Sequence, residues 1–413
     1  MRTEQIMLDP VGALLHLERW CNDGSPSGLS FGEHQVSPSY RPRGDTASFP
    51  APSRTVPWAG AEVSMAAPSS ALVREIVRPD GVVLVMHPDN PLSRAGTAQV
   101  PRMVAPTASA RTVAVLDSGS PYYAKLHYPG LLGRVPREMD AKRVRASVRM
   151  SAALDQETAL LPDVCAYLPE SIGIVTRLGH TEQGVVYREF VPRSRLGGDT
   201  GKSIPPQVPL FSLFSTDIRS PDDPPLLVDL LRTAGGGTRA DEAFTSLLDL
   251  LLESYAALAF GVGLVPEDHA QNVLLELDPS GIPRRVVRRD LLDWYADLEI
   301  RRLRTLPTDF ARVLDTEHDA ARAYGGRSYA FDFRLGEYVL DPLIACAAQH
   351  MGVDAERTRA WVKGRVHALA AAHDLDLHDY FRPFDHTSRY ERGLRIWRDG
   401  RPLFQAGPAP VYR

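Results

Sequence analysis

A polar loop at residues 267–272 constrains the fold of this chain more than any other feature of the sequence. Before the loop, apolar residues recur at helical spacing through 244–258, and after it residues 273–290 show strand, turn and strand signals. A hairpin brings its two ends together, so Asn272 and Asp290 are expected side by side at one end of a two-stranded ribbon. An amide oxygen and a carboxylate in that position suit Mg²⁺, which also binds the phosphates of a substrate.

Two interpretations of this loop stay open on the residues alone. In the simpler one, the loop is a polar turn between a core helix and a core hairpin, and His269 and Gln271 only make hydrogen bonds. The functional one follows the arrangement in kinases, in which a catalytic-loop Asn and a later Asp both bind metal. The catalytic Asp of kinases is missing ahead of Asn272, and the chain offers Glu267 and His269 instead. The joint occurrence of helix, loop, hairpin and Asp favours the functional interpretation.

A lysine within an apolar strand marks the first half of the chain. Residues 108–115 and 122–128 are predicted to pair as strands, which places Arg111 and Lys125 on neighbouring strands. A buried ammonium group is costly unless it meets an anion. Lys125 therefore either faces an anion or lies on the solvated face of an edge strand, and this segment leaves both interpretations open.

A loop at 130–137 carries glycines and arginines just before a predicted helix at 140–153. This arrangement favours phosphate binding, because guanidinium groups and the N–H groups at a helix N-terminus both bind anions. The remaining predictions are helices near 9–20, 241–260, 337–350 and 354–374, irregular chain at 21–62, a hairpin of 72–77 with 81–86, antiparallel strands at 172–176 and 185–191, and a flexible boundary at 193–240.

Together these elements predict an α+β fold. A mixed or antiparallel sheet with flanking helices, resembling fingers, precedes a mostly helical, palm-like domain that carries the kinase-like hairpin, and an ATP cleft lies between them. The predicted limits are 1–80 for a short, partly irregular N-terminal segment, 81–205 for the nucleotide-binding sheet domain and 206–413 for the helical domain.

The composition is that of a globular protein in a reducing compartment. Of 413 residues, 44% are hydrophobic and 24% are charged, and a formal net charge of −4 gives no reason to expect nucleic-acid binding. The three cysteines, Cys21, Cys165 and Cys346, lie far apart and suit neither a disulfide framework nor a zinc cluster. No segment approaches the roughly 20 apolar residues of a membrane helix. The expectation is a soluble cytoplasmic protein without a membrane partner, and a homodimer is left open.

An ordered set of short motifs resembles one known family. The set runs over residues 81–300 and resembles the siderophore synthetases that work without a peptide-synthetase template, the IucA/IucC-like family. The chain departs from the family in two places, because Gly133 replaces a Thr and only about 80 residues precede the first motif. The motifs are His87-Pro88, Ser109-Ala110-Arg111-Thr112, Lys125, Arg137, Arg188-Glu189, Glu267-x-His269-x-Gln271-Asn272 and Arg289-Asp290.

The resemblance implies ATP-dependent ligation. A carboxylic acid would attack the α-phosphate of ATP, and an amine, hydroxylamine or alcohol would then displace AMP to give an amide or ester. By similarity, His269 and Gln271 lie near the reacting carboxylate and α-phosphate, with His269 also near the nucleotide, while Asn272 and Asp290 hold Mg²⁺. The residues implied to hold the nucleotide and its phosphates are Ser109, Arg111, Thr112, Lys125 and Arg137. Glu267 would orient the loop, and His87 is as consistent with a structural turn residue as with a functional one.

Two other functions remain in view. A kinase-like phosphotransferase would use the same site but release ADP in place of AMP and pyrophosphate. A non-catalytic nucleotide-binding partner of a full-length synthetase would bind ATP without turnover. A ferric-siderophore reductase is disfavoured because the sequence has no close pair of C-terminal cysteines.

Overall fold

The computed structural model describes residues 1–23, 33–94, 100–132, 135–178, 181–195, 204–235, 240–382, 388–389, 397–398, 401–402 and 405–413. Within these residues the α-helices are α1 (Thr3–Leu8), α2 (Pro10–Trp20), α3 (Ser70–Ile76), α4 (Ala141–Glu157), α5 (Phe211–Phe214), α6 (Leu226–Ala234), α7 (Ala240–Ala256), α8 (Leu298–Leu303), α9 (Thr316–Ser328), α10 (Asp341–Met351), α11 (Ala355–Ala372) and α12 (Leu377–Phe381). Wider π-helical turns at Ala257–Gly261 and Tyr329–Leu340 extend α7 and α9. Short 3-10 turns lie at Glu33–Gln35, Pro38–Tyr40, Trp58–Gly60, Pro91–Arg94, Thr158–Leu160 and Leu291–Asp293.

The strands of the same residues, in chain order, are β1 (Cys21–Asp23), β2 (Phe49–Ala51), β3 (Ser53–Pro57), β4 (Ala61–Met65), β5 (Val77–Arg78), β6 (Gly81–Val85), β7 (Arg102–Pro106), β8 (Thr112–Val115), β9 (Tyr122–Leu126), β10 (Leu131–Leu132), β11 (Val135–Pro136), β12 (Cys165–Tyr167), β13 (Glu170–Leu178), β14 (Thr181–Glu189), β15 (Arg193–Ser194), β16 (Gln207–Pro209), β17 (Thr216–Asp217), β18 (Leu264–Val265), β19 (Val273–Leu277), β20 (Pro283–Arg288), β21 (Tyr295–Asp297), β22 (Val313–Leu314), β23 (Ser388–Arg389), β24 (Trp397–Arg398), β25 (Arg401–Pro402) and β26 (Gln405–Ala406).

Seven strands form an antiparallel sheet in the order β2–β7–β8–β9–β14–β13–β4. The apolar side chains of one face share a core with α3 and with the small sheet β3–β6–β5. Helix α4 packs on the other face, where Val144 meets Val186 of β14. Because side chains alternate along a strand, Lys125 lies on the α4 face, directly opposite Val186.

The predicted hairpin is β19–β20, and it belongs to a second, mixed sheet in the order β15–β12–β20–β19–β16. The pair β12–β20 is parallel, while the other pairs of this sheet are antiparallel. At the open end of the hairpin, the backbone N–H of Arg289 donates to the carbonyl oxygen of Asn272 at 3.0 Å. The two ends of the ribbon therefore lie side by side, as the sequence predicted.

Helices build most of the chain after β16, around one large apolar core. The segment Ala240–Gly261, α7 with its π-helical turn, is apolar and long enough to cross a membrane by composition, but 67% of its most apolar window is buried inside the protein. It therefore serves as a core helix here. The predicted start of α11 is confirmed, because the Asp354 side chain accepts a hydrogen bond from the backbone N–H of Arg357.

The structure corrects three predictions. Residues 72–76 are helical because the Ser69 side chain caps the helix and Leu72 and Ile76, four residues apart, both face the core. Residues 108–111 form a turn, with Ala110 at a φ of 61°, so the strand begins only at Thr112. The chain at 21–62, predicted as irregular, holds β1, β2, β3 and the start of β4.

Two further predictions concern the organisation of the chain. The predicted strands at 108–115, 122–128, 172–176 and 185–191 correspond to β8, β9, β13 and β14 of an entirely antiparallel sheet, and the mixed pairing occurs in the sheet of the hairpin. The domain limits stay a prediction, and the glycines at positions 133, 197 and 198 lie outside the described residues.

Candidate functional site

An ion pair between a buried lysine and a partly buried aspartate joins the two sheets. The Nζ atom of Lys125 on β9 lies 2.8 Å from Oδ1 of Asp290, which follows β20. The Lys125 side chain is 3% exposed and β9 lies between β8 and β14, so the edge-strand interpretation of this lysine is wrong. The two residues that the sequence placed in one cleft are in direct contact across 165 positions of the chain.

A second cation from the same sheet also meets Asp290. Arg188 stands two residues beyond Val186 on β14 and therefore on the same face as Lys125, and its guanidinium contacts both Asp290 and the buried Glu170. Burial acts to raise the pKa of Asp290, but Lys125 and Arg188 outweigh it and hold that pKa well below its ordinary value. The carboxylate is therefore ionised at neutral pH.

The backbone at Asp290 is itself unusual. Its φ of 63° and ψ of 57° place it in the left-handed region, which non-glycine residues adopt rarely and mostly where the surroundings enforce it. This turn ends the hairpin directly after Arg289 and places the carboxylate toward the cations of the antiparallel sheet.

The loop ahead of the hairpin holds a neutral histidine. Burial first, and then the nearby guanidinium of Arg334, lower the pKa of His269 to about 3. Its Nδ1 atom accepts the backbone N–H of Gln271 at 3.3 Å, so the hydrogen of the neutral ring lies on Nε2. His269 is thus equipped to donate a hydrogen bond to an oxygen atom of a substrate.

Asn272 and Asp290, the residues predicted to bind Mg²⁺, each keep one side-chain oxygen atom outside their hydrogen bonds to neighbouring residues. The Nδ2 atom of Asn272 faces Glu267, 3.4 Å from its carbonyl oxygen and 3.4 Å from Oε2, so the amide oxygen is the atom that remains for a cation. Asp290 is ionised and uses Oδ1 for Lys125 and Arg188, which leaves Oδ2. An amide oxygen and a carboxylate oxygen are the hard ligands that Mg²⁺ prefers, so these residues fit the ion.

The turn before β8 carries Ser109 and Arg111, two of the residues predicted to bind the nucleotide. Arg111 donates from Nη1 to the carbonyl oxygen of Arg137 at 3.0 Å. Burial first, and then the charge of Arg137, lower the pKa of Arg111 to about 10, while Asp290 acts against them. Ser109 accepts the backbone N–H of Thr112 through Oγ at 2.9 Å, which fixes the turn. The cluster therefore contains cations from the turn and from the sheet.

His87 does not join this cluster. Its ring is completely buried, accepts the backbone N–H of Asp89 at Nδ1 and packs edge-on against Tyr40 and Tyr128. Burial lowers its pKa to about 4. These contacts favour the structural interpretation of this histidine.

The sequence reasoning missed a link between the two halves of the site. Glu18 of α2 is fully buried, accepts the backbone N–H of Ala108 at 3.1 Å and lies 2.5 Å from Nη1 of Arg289. Arg289 in turn donates from Nε to the carbonyl oxygen of Gln271 at 2.8 Å. One signal was available, because Glu18 stands four residues after the buried Leu14, on the apolar stripe of an amphipathic helix.

The second missed group surrounds a small cavity of about 60 Å³ beside the polar loop. Arg334 pairs with Glu267 at 2.7 Å, and Arg312 contacts Asp293 and donates to the Tyr295 hydroxyl at 2.8 Å. These arginines come from the helical part of the chain, where no motif marks them.

Comparison with solved structures identifies the architecture. The chain is similar to the petrobactin biosynthesis protein AsbB from Bacillus anthracis str. Sterne, with a TM-score of 0.70 and 13% identity over 96% of this chain and 75% of that one. It is also similar to the aerobactin synthetase IucA from a hypervirulent pathotype of Klebsiella pneumoniae, with a TM-score of 0.63 and 16% identity over 94% and 76% of the two chains. This chain has the fold of the siderophore synthetases.

Further comparisons agree with this fold. The aerobactin synthetase IucC of the same organism gives a TM-score of 0.60 and 16% identity over 86% of this chain, which spans 66% of the IucC chain. An ATP-bound structure of IucA gives a TM-score of 0.61. Residues 244–391 match a family model described as ferric iron reductase FhuF-like transporter. No curated protein matches the sequence. The expected likeness to siderophore synthetases is confirmed at the level of the fold.

Proposed function

We propose that this protein is an ATP-dependent ligase that adenylates a carboxylic acid and joins it to an amine, hydroxylamine or alcohol, in a siderophore or other specialised-metabolite pathway. The observation that carries the proposal is the contact between Lys125 and Asp290, because it joins a buried cation cluster to the end of a hairpin that can bind Mg²⁺. The synthetase fold and an ATP-bound structure of a similar protein support the use of ATP. A cytoplasmic location belongs to the same proposal.

The cation cluster suits the first half of the reaction. Negative charge grows at the α-phosphate as the acid attacks it, and cations that are already held in place stabilise such charge without reorganisation. Lys125, Arg111 and Arg137 would bind the phosphate oxygens of ATP. Asn272 and Asp290 would hold Mg²⁺, which supplies charge neutralisation when it is bound.

The neutral His269 has a different role from that of the cations. Since its Nε2–H can donate but its pKa of about 3 keeps it from carrying a proton near neutrality, it would orient and polarise a substrate oxygen. Gln271 lies beside it in the same loop and would contact the same carboxylate.

Three observations favour a ligase over a kinase or a reductase. Asp268 is buried and binds Arg288 through both carboxylate oxygens, so it cannot serve as the base of a kinase. Glu267, at the other candidate position, is paired with Arg334. The cysteines at 21, 165 and 346 are buried and free, which does not suit a reductase despite the family match at 244–391.

Pyrophosphate exchange tests the proposal directly. The full chain is incubated with MgATP, labelled pyrophosphate and single carboxylic acids from a panel that includes citrate, succinate and 2-oxoglutarate. We expect at least one acid to support exchange and to yield AMP once hydroxylamine is added. ADP as the product would replace the ligase with a kinase, and ATP binding without turnover for any acid would leave only the non-catalytic partner. A homodimer stays a prediction.

A further inference from the structure

Three side chains of metal-binding types meet at the C-terminal end of α2. His16 lies near the end of α2, Cys21 opens β1 and Asp217 ends β17. The Nε2 atom of His16 is 2.7 Å from Oδ2 of Asp217, and one nitrogen, sulfur and carboxylate oxygen from the three residues all lie within 4.8 Å of one another.

The surroundings hold each of these side chains in position. Cys21 and Asp217 are direct partners in the antiparallel pair β1–β17, so their side chains start from adjacent positions. The backbone N–H of Arg219 donates to Oδ1 of Asp217 at 3.0 Å, while Oδ2 faces His16 and also lies 3.7 Å from the N-terminal ammonium group of Met1. The ring of Trp20 packs edge-on against His16, with the ring centres 5.0 Å apart. Such supporting contacts are typical of metal sites, where they orient the ligands.

We propose that His16, Cys21 and Asp217 form a zinc site. One imidazole nitrogen, one thiolate sulfur and one carboxylate oxygen make a borderline-soft set that suits Zn²⁺ and excludes Mg²⁺ or Ca²⁺ as the resident ion. Three protein ligands with a fourth position for water make the usual tetrahedral arrangement. Cys21 is 3% exposed and Asp217 8%, while the His16 side chain is 24% exposed, so the ion would enter past the imidazole.

The position of the site gives the ion a structural task. It would tie α2 and β1, which are consecutive in the chain, to β17, which follows about 200 positions later. Since α2 also carries Glu18, which contacts both sides of the nucleotide site, the ion would stiffen the helix on which that contact depends. Zinc binding itself does not depend on the proposed ligase activity.

Zinc titration of the untagged full chain is the test. After removal of metal by dialysis against a chelator, Zn²⁺ is added in competition with a chromophoric zinc indicator, and the thermal midpoint is recorded in parallel. We expect one tightly bound Zn²⁺ per chain and a higher midpoint with zinc. Cys21→Ser and His16→Gln should each weaken binding by about 100-fold or more. Cys346→Ser, which removes a buried cysteine elsewhere in the core, is the matched control and should bind as the wild type does.

Cobalt gives a spectroscopic readout that folding alone cannot imitate. The wild-type chain loaded with Co²⁺ should show a sulfur-to-cobalt charge-transfer band that persists in Cys346→Ser. His16→Gln, at a partly exposed position, is expected to stay folded even where Cys21→Ser does not, and its loss of affinity carries the same information. Absence of stoichiometric metal from the wild type, or a charge-transfer band retained in Cys21→Ser, would show that the three residues form only a hydrogen-bonded cluster.

Discussion

Replacing Lys125 by Met is the sharpest test of the nucleotide site. Methionine fills a similar volume and removes the charge, while Arg188 continues to neutralise Asp290. Stability should therefore fall by about 1.5–3 kcal/mol, the range for one lost hydrogen bond to a charged group. The catalytic loss is separate from this and should reach about 3 kcal/mol, or about 150-fold in rate at 25 °C, because a fixed group that stabilises transition-state charge is typically worth that much.

The contrast with Asp290 explains this choice of residue. Asp290→Ala leaves Lys125 buried without its carboxylate, while Arg188 keeps its contact with Glu170. Breaking a buried pair in this way costs about 3–5 kcal/mol of stability. That variant would lose activity and folded structure together, so it could not distinguish a catalytic effect from a folding effect. Lys125→Met removes the catalytic charge and leaves Asp290 and Glu170 in contact with the guanidinium group of Arg188.

The assay compares pyrophosphate exchange with urea denaturation of the same preparations. Lys363→Met, on the exposed surface of α11, is the matched control and should leave both unchanged. Wild-type exchange and wild-type affinity for MgATP in Lys125→Met would refute the assignment of this lysine to the phosphates. A loss of exchange that only mirrors the loss of folded protein would refute the catalytic part of the reasoning.

Two further predictions concern residues that support the site. Glu18→Gln keeps an acceptor for the Ala108 N–H but removes the charge opposite Arg289, so calorimetry should show MgATP binding about 10-fold weaker. The control, Glu157→Gln, breaks another buried ion pair and should lower stability alone. Equal ATP affinity in the two variants would contradict the role of Glu18. Because the pKa of His269 in the folded chain, about 3, lies below its ordinary value of 6.5, the folded state resists protonation, so its contribution to stability is complete above pH 6.5 and falls as the pH drops toward 3. Urea denaturation between pH 4 and 8 should therefore give a slope of up to about 1.4 kcal/mol per pH unit from this residue that His269→Gln lacks, and parallel curves for the two proteins would contradict it.

Local patterns in the sequence determined much of the framework. Residue spacing was sufficient to predict α2, α4, α7, β9 and the hairpin β19–β20. Each of these elements shows its hydrophobic periodicity and its terminal residues within a short stretch of sequence. The hairpin prediction also placed Asn272 next to the residues that follow β20, because a two-stranded ribbon fixes which residues meet at its open end. The likeness to the synthetases depended on the order of such local motifs.

Only the tertiary structure decided which charges meet. Asp290 pairs with Lys125 and Arg188, which precede it by 165 and 102 positions, and Glu18 reaches Arg289 from the N-terminal helix. No periodicity within a segment specifies such pairs, because they depend on how one sheet packs against another. Burial enforces the pairing, since a charge removed from water without an opposite charge beside it lowers the stability of the fold by several kcal/mol. The sequence alone therefore supplied the charged residues of the site, and the packing of the two sheets selected their partners.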